Sequence, residues 1–174
     1  MRTKASSFAL AALMAGAVAG GTAGVAAPAQ AAQRAADPYA HTRLERVWAP
    51  NVCLSMGGST KSNARLIVGK CAKSNKTQRW TMKRLSGNKS LLTIKNDKSG
   101  KCLKVDSKSR VVQSPCKASS KSQQWALRSS LIISKSKNKA LASKSTKSGS
   151  KPYLEKWHSS PSNGERVRQE WGLS

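Results

Sequence analysis

Short apolar runs of six to eight residues, broken by turn-forming residues, make up most of this chain after residue 42. No stretch keeps a helical apolar period over ten or more residues, so the pattern predicts an all-β domain. Segments rich in glycine, serine and asparagine, such as 56–63, 84–88 and 96–100, predict the turns between runs. The twelve strands are expected at 43–48, 51–56, 64–71, 78–84, 90–96, 100–106, 110–116, 123–129, 130–136, 138–143, 152–157 and 169–174.

The twelve runs fall into three sets of four, because the last run of each set carries the same Q-x-W motif. The three pairs are Gln78 with Trp80, Gln123 with Trp125, and Gln169 with Trp171, so the tryptophans are 45 and 46 residues apart. A fixed period of this size indicates an internally repeated architecture. We expect three repeats, at about 42–85, 86–129 and 130–174, that form a closed pseudo-threefold barrel with hairpin caps.

The Q-x-W motif is interpreted as a packing device rather than as a catalytic motif. Alternate residues of a strand share a face, so the glutamine and the tryptophan of each pair are expected to point inward together. The tryptophan then supplies a large apolar body near the threefold axis. The glutamine amide both donates to and accepts from backbone groups of the neighbouring turn, as a buried amide must.

The first 31 residues have the pattern of a secretory signal peptide. Arg2 and Lys4 precede an uncharged stretch that ends near Ala27, and small residues at Ala29 and Ala31 fit a signal-peptidase site. We expect cleavage after about Ala31, a short segment at 32–41, and a secreted, extracellular domain. The alternative is a membrane anchor, because the uncharged stretch reaches the lower length limit for a span. No second apolar run follows, so the remainder is not expected to span a membrane.

Positive charge dominates the chain, with 32 Lys and Arg against seven Asp and Glu. The predicted signal holds two of the basic residues and none of the acidic ones, which leaves +23 for residues 32–174. Such an excess favours anionic polymers and surfaces as partners, including acidic polysaccharides and anionic cell-surface polymers. Sequence-specific recognition of nucleic acid is not expected, because the tryptophans are assigned to the core and few aromatic residues remain to stack on bases.

Four cysteines in a secreted chain predict two disulfides, for which three pairings exist. Cys71 and Cys116 each lie seven residues before a Q-x-W glutamine, and Cys53 and Cys102 occupy matching earlier positions. The repeat therefore favours Cys53–Cys71 and Cys102–Cys116, each closing its own loop. A zinc site is the competing interpretation, but no C-x-x-C pair or nearby histidine cluster supports it. No metal or cofactor is expected.

Three Q-x-W copies, each preceded by a cysteine-leucine type strand, make the chain resemble the ricin-B-type lectin domains, which are β-trefoils. The resemblance covers about residues 42–174. The third repeat departs from the pattern, because Ala140 and Trp157 replace its two cysteines and an insertion separates Trp157 from Gln169.

The resemblance implies a sugar pocket in each repeat, built from an aspartate, an aromatic ring and an asparagine. None of the three repeats keeps this set. The aspartate positions hold Ser55, Lys104 and Ala142, the aromatic positions hold Gly69, Ser114 and Glu155, and the asparagine positions hold Thr77, Ser122 and Arg168. Asn75, Asp106, Tyr153 and Trp157 are nearby substitutes.

Lysines are the second set of candidate binding residues. Lys104 inverts the charge of a family aspartate position, and the alternation of Lys135, Lys137 and Lys139 predicts one charged strand face. The alternative is a solvated surface that only aids solubility. The candidate binding residues are therefore Ser55, Asn75, Thr77, Lys104, Asp106, Ser122, Lys135, Lys137, Lys139 and Tyr153.

No catalytic site is predicted, because neither His41 nor His158 has a catalytic partner at a recognisable spacing. Three hypotheses remain open. The chain is a lectin-like module for carbohydrate or cell-wall glycan with acidic groups, a general polyanion binder without a sugar pocket, or an interaction subunit that docks on a partner protein in a secreted or toxin-like assembly.

Overall fold

A computed structural model describes residues 39–160 and 164–174. Within these ranges the chain forms twelve short strands and three 3₁₀ turns. The strands are β1 (Thr42–Arg46), β2 (Val52–Ser55), β3 (Ile67–Lys70), β4 (Arg79–Arg84), β5 (Leu91–Asn96), β6 (Cys102–Val105), β7 (Val111–Ser114), β8 (Trp125–Arg128), β9 (Leu131–Ser134), β10 (Lys139–Ala142), β11 (Tyr153–Glu155) and β12 (Trp171–Leu173). The 3₁₀ turns are Lys76–Gln78, Lys121–Gln123 and Arg166–Arg168. Each predicted run contains one strand, so the predicted all-β class is confirmed.

Six of the strands form a ring-like sheet, and the other six form three hairpin caps. Antiparallel pairing runs β12–β1–β4–β5–β8–β9 through the ring. The caps are β2–β3, β6–β7 and β10–β11, each tied to the ring by its first strand. One cap and two ring strands per repeat is the arrangement of a β-trefoil.

The expectation of a closed barrel is wrong at one place. Between β9 and β12 there is no continuous ladder in the part of the chain that is described, only an isolated bridge between Leu131 and Glu170. The Trp171 N–H also donates to the Ser130 carbonyl at 2.8 Å. β12 is only three residues long and begins three positions after the third 3₁₀ turn ends, so little extended chain is left to pair along β9.

The core lies along the axis of the ring and draws on all three repeats. Trp80 and Trp125 are fully buried and Trp171 is 3 % exposed. They pack with branched and aliphatic side chains that include Leu44, Leu54, Leu92, Ile94, Leu103, Ile132 and Leu141. Burying each such side chain contributes about 1.5 to 3 kcal/mol, so this cluster is the main source of stability.

Both predicted disulfides are confirmed, with Cys53 bonded to Cys71 and Cys102 bonded to Cys116. The third repeat has no cysteines, and a small apolar cluster occupies the corresponding position. Ala140 packs there with Leu131 and Ile133, and the partly buried ring of Trp157 lies against them. Packing therefore replaces the crosslink in this repeat.

The predicted signal peptide at residues 1–31 and most of the segment 32–41 lie outside the described residues. Within the described ranges, none of the helical segments has the length and apolar character needed to cross a membrane.

Candidate functional site

Each Q-x-W glutamine holds the chain on both sides of the second cysteine position of its repeat. The Gln78 Oε1 atom accepts from Ala72 N at 2.8 Å, and its Nε2 atom donates to the Lys70 carbonyl at 2.7 Å. Gln123 makes the same two bonds to Lys117 N at 2.7 Å and Pro115 O at 2.9 Å.

Gln169 repeats the arrangement in the third repeat. Its Oε1 atom accepts from His158 N at 3.2 Å, and its Nε2 atom donates to the Lys156 carbonyl at 2.8 Å. Trp157 thus occupies the place of the second cysteine, because the residues on either side of it are the ones that the glutamine binds.

The tryptophans bind the other strand of each cap. The indole N–H of Trp80 donates to Leu54 O at 3.4 Å, that of Trp125 to Leu103 O at 3.2 Å, and that of Trp171 to Leu141 O at 2.9 Å. All three acceptors follow the first cysteine position of their repeat. The motif therefore fixes both strands of each cap.

The glutamines do not lie on strands, which corrects the reasoning from strand alternation. Gln78 and Gln123 are the last residues of 3₁₀ turns, and Gln169 follows the third turn. The glutamine and the tryptophan are both buried because the turn, and not strand pleating, directs the amide toward the cap.

In the first repeat the family positions are filled by small polar residues that bind one another. The Ser55 and Thr77 hydroxyls are 3.3 Å apart, and the Asn75 Oδ1 atom accepts from both the backbone N and the hydroxyl of Thr77. The Ser55 hydroxyl also accepts from Gly57 N at 3.0 Å. Ser55 and Thr77 are 3 % and 2 % exposed, so this group offers a sugar little accessible surface.

The second repeat presents a cation at its aspartate position. Lys104 is partly exposed on β6, opposite Val112, and no described carboxylate pairs with its ammonium group. Ser122 lies 2.9 Å from the Ser120 hydroxyl. Asp106 is not part of this group, because it closes the β6–β7 turn by accepting from the backbone and the guanidinium of Arg110.

In the third repeat an ion pair fills the pocket positions. Arg168 binds Glu155 through Nε and Nη2, both at 2.9 Å, and Tyr153 donates to Glu155 at 3.0 Å. Burial by itself raises the pKa of the Glu155 carboxyl, but the hydrogen bonds from Arg168, Gln169 and Tyr153 outweigh it and hold this pKa below its ordinary range. Burial and the bond to Glu155 raise the pKa of Tyr153 to about 12.

A comparison with protein-family models decides the family. The model described as the ricin-type beta-trefoil lectin domain matches residues 40–171. The chain belongs to this family. Among curated protein sequences, none matches it significantly.

Solved structures of low sequence identity share the fold of this ricin-type domain. The designed threefold-symmetric protein ThreeFoil is 21 % identical with a TM-score of 0.65, over 79 % of this chain and 98 % of that one. The β-trefoil lectin of the Vibrio vulnificus hemolysin/cytolysin, with N-acetyl-D-lactosamine bound, is 16 % identical with a TM-score of 0.59, over 78 % and 93 %. The Haemophilus ducreyi cytolethal distending toxin is 15 % identical with a TM-score of 0.63, over 80 % and 86 %.

Lys135, Lys137 and Lys139 of the third ricin-type repeat do not share a strand face, so the predicted charged strand face is wrong. Lys135 and Lys137 lie in the turn between β9 and β10, and only Lys139 lies on a strand. Asn138 closes this turn with a φ of +50°. All three lysines are exposed.

Sequence reasoning missed a basic hollow outside the three ricin-type pocket positions, which we call the hairpin groove. It has a volume of about 460 Å³, and its lining includes Arg84, Asn88, Leu91, Arg128, Ile133 and Lys135. These residues come from three separate segments of the chain, so no single sequence motif contains them. The signal available in the sequence was a basic residue at the end of a predicted strand, at Arg84 and Arg128.

A patch of exposed apolar side chains lies elsewhere on the ricin-type domain. Trp48 is 63 % exposed, with Val47 at 43 % and Leu173 at 45 %. The Trp48 indole donates to the Glu170 carboxylate, which also binds Arg166 at 2.7 Å. This tryptophan is therefore held in place at the surface.

One group of side chains among the described residues has the spacing of metal ligands, namely Glu45 with Cys53 and Cys71. Both sulfurs belong to a disulfide and so do not offer the thiolates that hold zinc.

Proposed function

We propose that this protein is a secreted, non-catalytic binding module that attaches to carbohydrate polymers bearing acidic groups. Its family is one of lectin domains, which are binding modules. The observation that carries the proposal is Lys104, a cation without a described carboxylate partner at a position where the family resemblance implies an aspartate. A cation there suits a carboxylate or sulfate on the sugar rather than a neutral hydroxyl.

The other two repeats support the same conclusion, because their pocket positions are already satisfied internally. Ser55 and Thr77 bind each other, and Glu155 is held by Arg168. At the pocket positions of these two repeats, no described carboxylate is free to accept hydrogen bonds from a neutral sugar. The formal charge of +23 on residues 32–174 then supplies long-range attraction to an acidic polymer, to which Lys104, Lys135, Lys137 and Lys139 contribute.

The test is a salt titration of binding to dextran sulfate and to uncharged dextran in parallel. These two polymers share a backbone and differ in charge. Attraction between exposed charges is screened beyond about 8 Å at physiological ionic strength, so binding to dextran sulfate should weaken steeply as salt rises. Tight binding of dextran, flat in salt and abolished by free sugar, would contradict the proposal.

A general polyanion binder is the nearest alternative, and competition separates it from the proposal. A polysaccharide-binding module should prefer dextran sulfate to inorganic polyphosphate of equal charge. Equal affinity for both polymers at every salt concentration would favour the alternative.

A second candidate function is docking onto a partner protein in a secreted assembly, favoured by the exposed patch of Val47, Trp48 and Leu173. Large exposed aromatic side chains are enriched in protein interfaces. A defined complex of fixed stoichiometry, recovered from culture medium and lost on Trp48→Ser, would support this function. Recovery of the parent protein only as a monomer, or a complex that survives Trp48→Ser, would reject it.

A further inference from the structure

We propose that the hairpin groove is a further site, beyond Lys104, where an anionic polysaccharide binds, with sugar rings on its floor and acidic groups against its basic walls. This inference rests on the proposed function and assigns it a place. The groove lies outside the three positions where the family resemblance implies sugar pockets, because its lining comes from the ends of ring strands and not from the caps.

The floor of the groove is a row of apolar side chains that crosses three neighbouring strands. Leu91 on β5 pairs with Ala126 on β8, and Ala126 pairs with Ile133 on β9. Directly paired residues lie on the same face of a sheet, so the three side chains form a continuous strip. Leu91 and Ile133 are only 8 % and 5 % exposed and Ala126 is partly exposed, so the strip presents a narrow apolar surface that suits the C–H face of one sugar ring.

The walls carry three cations and no carboxylate among the residues described there. Arg84 ends β4, Arg128 ends β8, and Lys135 lies in the β9–β10 turn. None of the three forms an ion pair with a described acidic residue. Their charges are therefore available for an external anion.

Both guanidinium groups are held in place by contacts within the protein. Arg84 stacks on Tyr39 at 5.3 Å from the ring centre and donates to the Lys89 carbonyl. Arg128 stacks on Trp157 at 5.6 Å. An arginine already fixed by stacking loses less conformational entropy when it binds an anion, which favours affinity.

Polar neutral groups complete the lining and suit sugar hydroxyls. The Asn88 Oδ1 atom accepts from the backbone and the hydroxyl of Ser90, at 3.0 and 2.6 Å, which leaves the amide nitrogen to donate. Asn138 lines the opposite side beside Lys135. Amides of this kind set orientation in carbohydrate sites, whereas charge alone does not.

A second hollow of about 810 Å³ adjoins the groove and shares Arg84, Asn88 and Leu91 with it. Lys83 and Lys89 add two further cations there, again with no carboxylate in the described lining. Two neighbouring basic hollows with a shared wall suit consecutive units of a chain, which favours a polymer over a single anionic sugar as the ligand.

Nucleic acid is the less favoured polyanion for this groove. Single-stranded nucleic acid binds by stacking its bases on exposed aromatic rings. No aromatic ring lines either hollow in the described ranges, and a guanidinium group covers each of the two nearest rings, Tyr39 and Trp157.

The test compares two pairs of substitutions that remove the same charge from the same region. The groove pair is Arg128→Gln with Lys135→Gln, and the control pair is Lys137→Gln with Lys139→Gln. Two lost charge-assisted contacts should weaken dextran sulfate binding by about tenfold or more. The control pair should weaken dextran sulfate binding by about twofold or less, because attraction between its exposed charges and the polymer is screened by salt and water.

Lys135→Glu and Lys137→Glu provide a second comparison that does not disturb the Arg128–Trp157 stacking. Both residues are exposed in one turn, so both variants should melt like the parent protein. We expect Lys135→Glu to weaken binding the more strongly. If the groove and control substitutions weaken dextran sulfate binding equally, the assignment of the groove as a binding site is wrong, while the proposed function still stands.

Failure of the proposed function has a different signature. It would appear as salt-independent binding, or no binding, of the parent protein to dextran sulfate. Tighter binding of single-stranded DNA than of dextran sulfate, with the larger loss in the groove pair, would overturn the assignment of a polysaccharide.

Discussion

The Arg168 guanidinium binds both oxygens of the Glu155 carboxylate. Arg168 Nε lies 2.9 Å from Oε1 and Nη2 lies 2.9 Å from Oε2. Gln169 Nε2 donates to the same Oε1 atom at 2.9 Å. This ion pair joins β11 to the last 3₁₀ turn in the repeat that has no disulfide.

Replacing Glu155 by glutamine should therefore destabilise the protein by about 2 kcal/mol. The figure lies between the small value of an exposed pair and the 3 to 5 kcal/mol of a buried one, because both side chains are partly buried. Chemical denaturation checks it. Glu165→Gln is the matched control, since Glu165 binds the same Arg168 from a solvent-exposed position and should cost less. An equal loss in both variants would contradict the role of Glu155.

Stability should fall in acid because of the same carboxylate and of Glu170. Hydrogen bonds from Arg168 to Glu155, and from Arg166 and Trp48 to Glu170, outweigh burial and hold both pKa values below the ordinary 4.5. A lowered pKa contributes stability that is present above pH 4.5 and lost as the pH falls through the folded-state value. Melting temperatures between pH 7 and pH 3 should show this decline. The difference in melting temperature between the parent protein and Glu155→Gln should become smaller toward pH 3. A difference that stays constant with pH would contradict this explanation.

Trp125→Ala should destabilise the protein by about 3 to 5 kcal/mol, the usual cost of truncating a large aromatic side chain in a core. The ring is fully buried, and its N–H donates to Leu103 O. Thermal and denaturant unfolding measure the loss. Trp48→Ala is the control, because that ring is 63 % exposed and its removal should cost less than about 1 kcal/mol. A small loss of unfolding free energy on Trp125→Ala would contradict the central packing role assigned to the Q-x-W motif.

The two disulfides should contribute similar stability, about 3 kcal/mol each in the chain-entropy model. Their sequence separations are 18 and 14, so the loops that they close are similar in size. The measurement compares Cys53→Ala with Cys71→Ala against Cys102→Ala with Cys116→Ala. A loss confined to one pair would indicate that the other bridge adds little to the folded domain.

Lys104→Ser should weaken binding to dextran sulfate by about two- to threefold and reduce its salt dependence by about one released ion. The side chain is partly exposed and has no described carboxylate partner, so the melting temperature should change little. Isothermal titration at two or more salt concentrations gives both quantities. Unchanged affinity and an unchanged salt slope would exclude Lys104 from the binding surface.

The fold was predictable because its main determinants recur at a fixed interval. Trp80, Trp125 and Trp171 mark equivalent strands, and the cysteine positions follow from the same alignment. The alternation that indicated a strand failed at Lys135 and Lys137, where Asn138 takes a positive φ and the chain turns. Period-two patterning persists through such a turn, so polarity alone does not reveal it.

The hairpin groove was not predictable, because it depends on register. Leu91 and Ile133 are 42 positions apart in the sequence, and they become neighbours on one face only through Ala126. The pocket positions taken from the family resemblance, in contrast, were located by counting from the cysteines. Counting assigned Glu155 and Arg168 to two of these positions, but it could not show that the two side chains bind each other.

The pairing of β1 with β12 also constrains the order in which the strands can pair during folding. Leu44 lies opposite Leu173 and Arg46 opposite Trp171, so the first ring strand has the last one as its neighbour. Ribosomes make β1 before β12, and one edge of β1 lacks this partner until β12 has been synthesised. The hairpin caps involve only local pairing and need no such delay. The ring is therefore completed at β1 only after all three repeats have been made, and a variant without β12 would keep its caps but leave an open sheet edge beside β1.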